Sequence, residues 1–214
     1  VYKRQTVALL VMRIPRAPRL LGGLGFRLDN KHLENGANNA LDPSFPGLHC
    51  ADFKHEEVRR ERFSLIEEAM MDYPVDGFEL QLNFWPYYFR PNEVETGRKI
   101  MTDWIGRVHE VVKRSGRDRE LAITIPANLN DCLSVGLDPE DWIKRDIVDV
   151  LTGQTRSQPQ FQDPNSTFIN YEPAHLDDMR ALVHAARGSA CRIHASIDST
   201  LDSDRLAEAP IEMV

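Results

Sequence analysis

Only three cysteines occur in 214 residues. Cys50, Cys132 and Cys191 lie far apart and form no CxxC pair, so neither a structural zinc site nor a disulfide framework is indicated. Long apolar runs are also missing. The longest, residues 7–12, falls far short of the ~20 residues a membrane-spanning helix needs, and no membrane partner is expected. Positive charge is in the minority: 26 Lys and Arg against 33 Asp and Glu leave a net charge of −7, which disfavours nucleic acid as a partner. The glycine cluster Gly22-Gly23-Leu24-Gly25 matches neither GxGxxG nor the phosphate-loop pattern, so no nucleotide or other cofactor is expected. His49, Asp52 and His55 are ligand-type residues in one loop, but that density is commonplace and no metal is expected.

What is present is an ordinary globular composition, 42% hydrophobic and 28% charged, at a length that suits one domain. Its most regular stretch runs from Phe78 to Trp85. Phe78, Leu80, Leu82 and Phe84 alternate with Glu79, Gln81, Asn83 and Trp85, the period of a β-strand. Asp76-Gly77 signals a turn before it and Pro86 ends it, since proline cannot donate to a ladder. A polar face carrying a carboxylate is wet in an open sheet. In a closed parallel barrel it points inward, toward the end where such folds do their chemistry.

Around this strand the chain alternates between strand and helix patterns. Residues 25–32 read as a short strand ending in polar groups, followed by a long Asn-, Pro- and Gly-rich loop. Residues 55–71 read as a helix with Val58, Leu65, Ile66, Ala69 and Met70 on one stripe. Asn92, with Glu95 three residues on, signals the start of the next helix, whose core stripe includes Met101, Trp104, Ile105, Val108, Val111 and Val112. Residues 121–125 and 147–151 read as strands, and Asp138-Pro139 caps a short helix between them. A last helix around Leu176 to Ala186, stopped by Gly188, leads to a strand over 192–197. No hairpin signal interrupts the series, so the expected class is α/β, a parallel sheet with right-handed helical crossovers. Five strands suit a partial (β/α)8 TIM barrel truncated at both ends, since a whole barrel typically takes about 250 residues. A doubly wound sheet is the alternative, but its glycine fingerprint is absent.

The segments 26–32, 76–80, 137–143 and 147–149 together resemble the uncharacterised glycosyl-hydrolase-like family 10 proteins, over roughly residues 26–197. The resemblance implies a (β/α)8 barrel related to glycosidases. It also maps a family arginine, an Asn-Asp pair and a histidine onto Arg27, Asp29-Asn30 in swapped order, and His32. Asp76, Gly77, Phe78, Glu79 and Leu80 follow the pattern; Gln81 stands where the family has Asp, and Thr124 where an arginine is usual. Val1-Tyr2-Lys3-Arg4-Gln5 resembles a translated sequencing adapter, so residues 1–21 are expected to be an artefactual or irregular leader. Residues 22–214 are then expected to be an incomplete barrel domain, a metagenomic fragment of a longer chain.

Most glycosidases place two carboxylates astride the scissile bond. Glu79 is the candidate acid. Asp29 is the preferred partner because it matches a family position; Asp198, after the last strand, is the alternative by analogy with barrels whose two carboxylates lie three strands apart. Arg27, His32, Gln81 and Asn83 are candidate hydrogen-bonding residues for a carbohydrate substrate. Trp85, Tyr87 and Tyr88 offer aromatic faces to sugar rings, with packing on the barrel rim as their alternative role. A catalytically silent carbohydrate-binding barrel is the second functional reading. An aldolase or isomerase is a third, and Lys31 is the lysine it would use.

Overall fold

The computed structural model describes residues 6–10, 22–83, 86–154 and 176–195. Five strands, β1 (Thr6–Leu10), β2 (Gly77–Gln81), β3 (Glu120–Pro126), β4 (Val150–Gln154) and β5 (Arg192–Ala195), form one parallel sheet in the order of the sequence. That order has no reversal, so it lacks the switch point that defines doubly wound sheets. Among the described residues the sheet is open, with β1 and β5 as its edges.

Helices α2 (Glu56–Asp72), α3 (Val94–Ser115), α5 (Pro139–Lys144) and α6 (Leu176–Ala185) connect the strands, with a further short helix, α4 (Leu129–Ser134), after β3. Their apolar stripes bury one face of the sheet. Ile66, Met101, Trp104, Ile105, Val108, Trp142 and Leu182 form one core with Phe78, Leu80, Leu82, Leu121, Ile123, Ile125 and Leu151. At Gly153 the fit is tight: an added Cβ would sit 2.7 Å from Met179 Sδ and 2.9 Å from Leu182 Cδ1, so these α6 side chains rest directly on the β4 backbone.

Several boundaries differ from the sequence reading. The first strand is Thr6–Leu10, inside the stretch set aside as a leader, and it pairs in register from Thr6↔Gly77 to Leu10↔Gln81. Residues 25–32 are not a strand. Gly22–Asp29 is a helix, α1, followed by a 3-10 turn at Lys31–Leu33. Four alternating residues fit a helical turn as well as a strand. Here Asn30 ends the helix, its side chain donating to the Phe26 carbonyl at 2.8 Å. Helix α3 starts after a 3-10 turn at Pro91–Glu93 and not from an Asn92 cap. The fourth strand starts three residues later than expected: Ile147 N donates to the Trp142 carbonyl at 3.1 Å in the turn after α5, and the Asp149 side chain just ahead of the strand accepts from Leu121 N at 2.7 Å and from Lys113 Nζ at 2.6 Å. Asp138 caps α5 as anticipated, accepting from Asp141 N at 3.1 Å, with Pro139 in the first turn.

Candidate functional site

Alternation along β2 puts Glu79 and Gln81 on the face opposite the helices, and the ladder tells which residues lie beside them. Glu79 is level with Ala122, and Ala122 with Val150 and then Arg192. One layer nearer the C-terminal end, Gln81, Thr124, Thr152 and His194 form a row across four strands. Above that row, the Asn83 side-chain amide donates to Gln154 Oε1 at 3.1 Å. At the opposite end Glu120 pairs with Arg192 Nη2 at 2.7 Å, reaching across β4. This face is therefore a field of hydroxyl, amide and charged groups, in contrast to the apolar face beneath the helices.

Glu79 is half-buried and held by its neighbours. Thr124 Oγ1 donates to Glu79 Oε1 at 2.8 Å, and the Gln81 amide donates to the same oxygen and to Thr124 Oγ1 at 3.2 Å. Among the described residues Oε2 takes no donor. The carboxylate is thus fixed through one oxygen, and the other is left for a ligand or a proton. The two positions that depart from the resemblance's pattern, Gln81 and Thr124, are direct cross-strand partners, 43 residues apart in sequence. A pattern of Asp and Arg at these positions would be a charged pair; here both members are neutral, and both serve Glu79.

Other expected site residues fall elsewhere. Asp29 is the last residue of α1 and is exposed, so it does not end the strand preceding Glu79's. Arg27 lies on the same helix and is committed to the buried Glu34, its Nε 2.9 Å from Oε1. The other oxygen of Glu34 bonds His49 Nδ1 at 2.9 Å. His32 and Lys31 are exposed on the 3-10 turn. Asp198 and Trp85 lie outside the described residues. Tyr87 is half-buried and packs edge-on against Phe45 at 5.3 Å between ring centroids. Tyr88 is 3% exposed, and its hydroxyl donates to the Leu82 carbonyl at 2.9 Å, so it braces the loop and offers no sugar-binding face.

Thr152, Gln154 and His194 join the site through register alone. A strand placed at 147–151 hides Thr152 and Gln154, and a lone histidine in the last strand carries no signal of its own. Among the described residues of β2 to β5, the other carboxylate on the open face is Glu120, which Arg192 neutralises. No helix among the described residues is long and apolar enough to cross a membrane. No protein-family model matches the chain, and no curated protein matches it either.

Proposed function

We propose that this chain is a large part of a (β/α)8 barrel that hydrolyses a poly- or oligosaccharide, with Glu79 as one of its two carboxylates. Sequential parallel strands with all their packed helices on one face are what a barrel segment presents, and closure would turn the polar rows inward. Neutral groups such as Gln81, Asn83, Thr152 and Gln154 suit the hydroxyls of a sugar, which need both donors and acceptors. The observation that carries the reading is the hold on Glu79: a carboxylate fixed through Oε1 on a polar sheet face, with Oε2 left over.

In this mechanism Oε2 either carries the proton given to the leaving oxygen or acts on the anomeric carbon, and a second carboxylate takes the complementary role. Asp198, just after β5, is the partner this architecture favours. Asp29 is the one the resemblance favours, but its helix-end position weakens that case. The test is release of reducing sugar from a polysaccharide panel by the chain and by Glu79→Gln. A loss of at least about 100-fold is expected for an acid–base group. Equal activity would remove Glu79 from the mechanism.

The second reading is a barrel that binds carbohydrate without cleaving it. The neutral Gln81–Thr124 pair and the neutralised Glu120 favour it. Calorimetry with oligosaccharides separates the two: binding without turnover, retained in Glu79→Gln, selects the silent binder.

A further inference from the structure

Away from the sheet face, one buried carboxylate is clamped between an arginine and a histidine. Arg27 of α1, Glu34 and His49 all lie between β1 and α2. The chain leaves β1 at its carboxyl end, so this segment belongs to the end of the sheet where parallel folds bind ligands. It is fastened there to the segment that follows β2. Asn35 Nδ2 donates to the Tyr87 carbonyl at 2.9 Å and Phe53 N to the Tyr88 carbonyl at 2.8 Å, while the Tyr88 hydroxyl reaches back to the Leu82 carbonyl. Glu34 accepts from Arg27 Nε through Oε1 and meets His49 Nδ1 with Oε2, both at 2.9 Å. Side-chain exposure rises from 10% at Glu34 to 50% at His49, so the carboxylate is inside and the imidazole reaches out.

Arg27 already balances the charge of Glu34, so His49 is not needed for neutrality. What the carboxylate does is hold the ring. A carboxylate can only accept, so the ring nitrogen facing it carries the hydrogen, and the neutral imidazole keeps its lone pair on Nε2. Among the described residues Nε2 has no hydrogen-bond partner. We infer that Arg27 and Glu34 are positioning residues that present His49 Nε2 as a hydrogen-bond acceptor for a ligand hydroxyl at the carboxyl end of the sheet. That hydroxyl belongs to the carbohydrate proposed above, and this half of the inference rests on that reading.

The clamp has two consequences. A ring already held by Glu34 loses little freedom when a ligand arrives, so its hydrogen bond is made at low entropic cost. The hold also decides what the ring offers. In Glu34→Gln, Arg27 Nε still needs an acceptor, which draws the new amide oxygen to its side. The amide NH2 then faces His49 Nδ1, which has to accept, and the ring hydrogen moves to Nε2. One nearly isosteric change thus turns the outward nitrogen from an acceptor into a donor.

Nitrogen chemical shifts of the His49 ring in the full chain, read at about pH 9, above the ordinary imidazole range, test the positioning. The hydrogen should sit on Nδ1 in the wild type and on Nε2 in Glu34→Gln. A wild-type ring with its hydrogen on Nε2, or the same tautomer in both proteins, overturns it. If Glu34→Gln fails to fold, the wild-type tautomer decides. Calorimetry with cello-, xylo- and malto-oligosaccharides tests the ligand. His49→Phe should weaken binding by about twofold to tenfold, the worth of one neutral hydrogen bond. In the wild type the Nε2 shift should move as the sugar is added. Binding that His49→Phe leaves unchanged overturns the ligand half and spares the barrel reading, whereas a chain that neither binds nor cleaves any of the sugars overturns both.

Discussion

The two faces of the sheet differ in almost every physical respect. On one, Leu80, Leu82, Leu121, Ile123, Ile125 and Leu151 are each at 0% exposure beneath the helices. On the other, Glu79, Gln81, Thr152 and Gln154 remain half-exposed, and side-chain hydrogen bonds join Gln81 to Glu79 and Asn83 to Gln154. Burial of apolar surface is the dominant favourable term in folding, so the covered face carries the stability. The open face contributes little to it and is free to carry chemistry. Substitutions on the two faces should therefore separate cleanly into effects on folding and effects on function.

The largest effect belongs to the covered face. Trp104 is buried against Phe53, ring centroids 5.4 Å apart, and its indole donates to the Arg59 carbonyl at 3.1 Å. Trp104→Ala should cost about 3–5 kcal/mol in denaturant unfolding. A loss below about 1 kcal/mol would mean that α3 does not seal this face. Next comes Glu79→Gln, which should leave the unfolding midpoint nearly unchanged while turnover on a responsive polysaccharide drops by at least about 100-fold. If stability collapsed instead, Glu79 would be a structural carboxylate and the contrast between the faces would fail.

Thr124 tests the boundary between the two, since it is on the polar face yet only 3% exposed. Thr124→Val keeps the shape but removes the hydroxyl that donates to Glu79 Oε1, and should cost about 1–2 kcal/mol. Thr124→Ser should restore most of that. A neutral Thr124→Val would show that this hydroxyl does not hold Glu79.

How much of this was legible in the sequence follows the same division. The covered face announces itself: the stripe of Met101, Trp104, Ile105, Val108 and Val112 on α3 is buried as its periodicity requires. The alternation of β2 also separates Glu79 from Leu80 correctly. The open face was readable only one strand at a time. Its rows depend on register, which pairs β4 with residues of β3 that lie 28 positions away, a relation that no local pattern encodes. Thr6–Leu10 carries little signal because Arg-, Pro- and Gly-rich residues follow it and obscure its period, while the alternation of Phe26–Asp29 is so short that it also fits a helical turn.

The smallest effect bears on whether the two neutral positions beside Glu79 are one feature or two. Gln81 and Thr124 face each other across β2 and β3 and share a hydrogen bond of 3.2 Å, and both donate to the same carboxylate oxygen. Removing either leaves the other still able to hold Glu79, so the first loss should be partly compensated and the second should not. A double-mutant cycle on Gln81→Ala and Thr124→Val should therefore give a coupling of about 1 kcal/mol, with the double variant worse than the sum of the singles. Additivity within about 0.5 kcal/mol would mean that each residue serves Glu79 independently. In that case the paired departure from the charged pattern would have no shared physical cause.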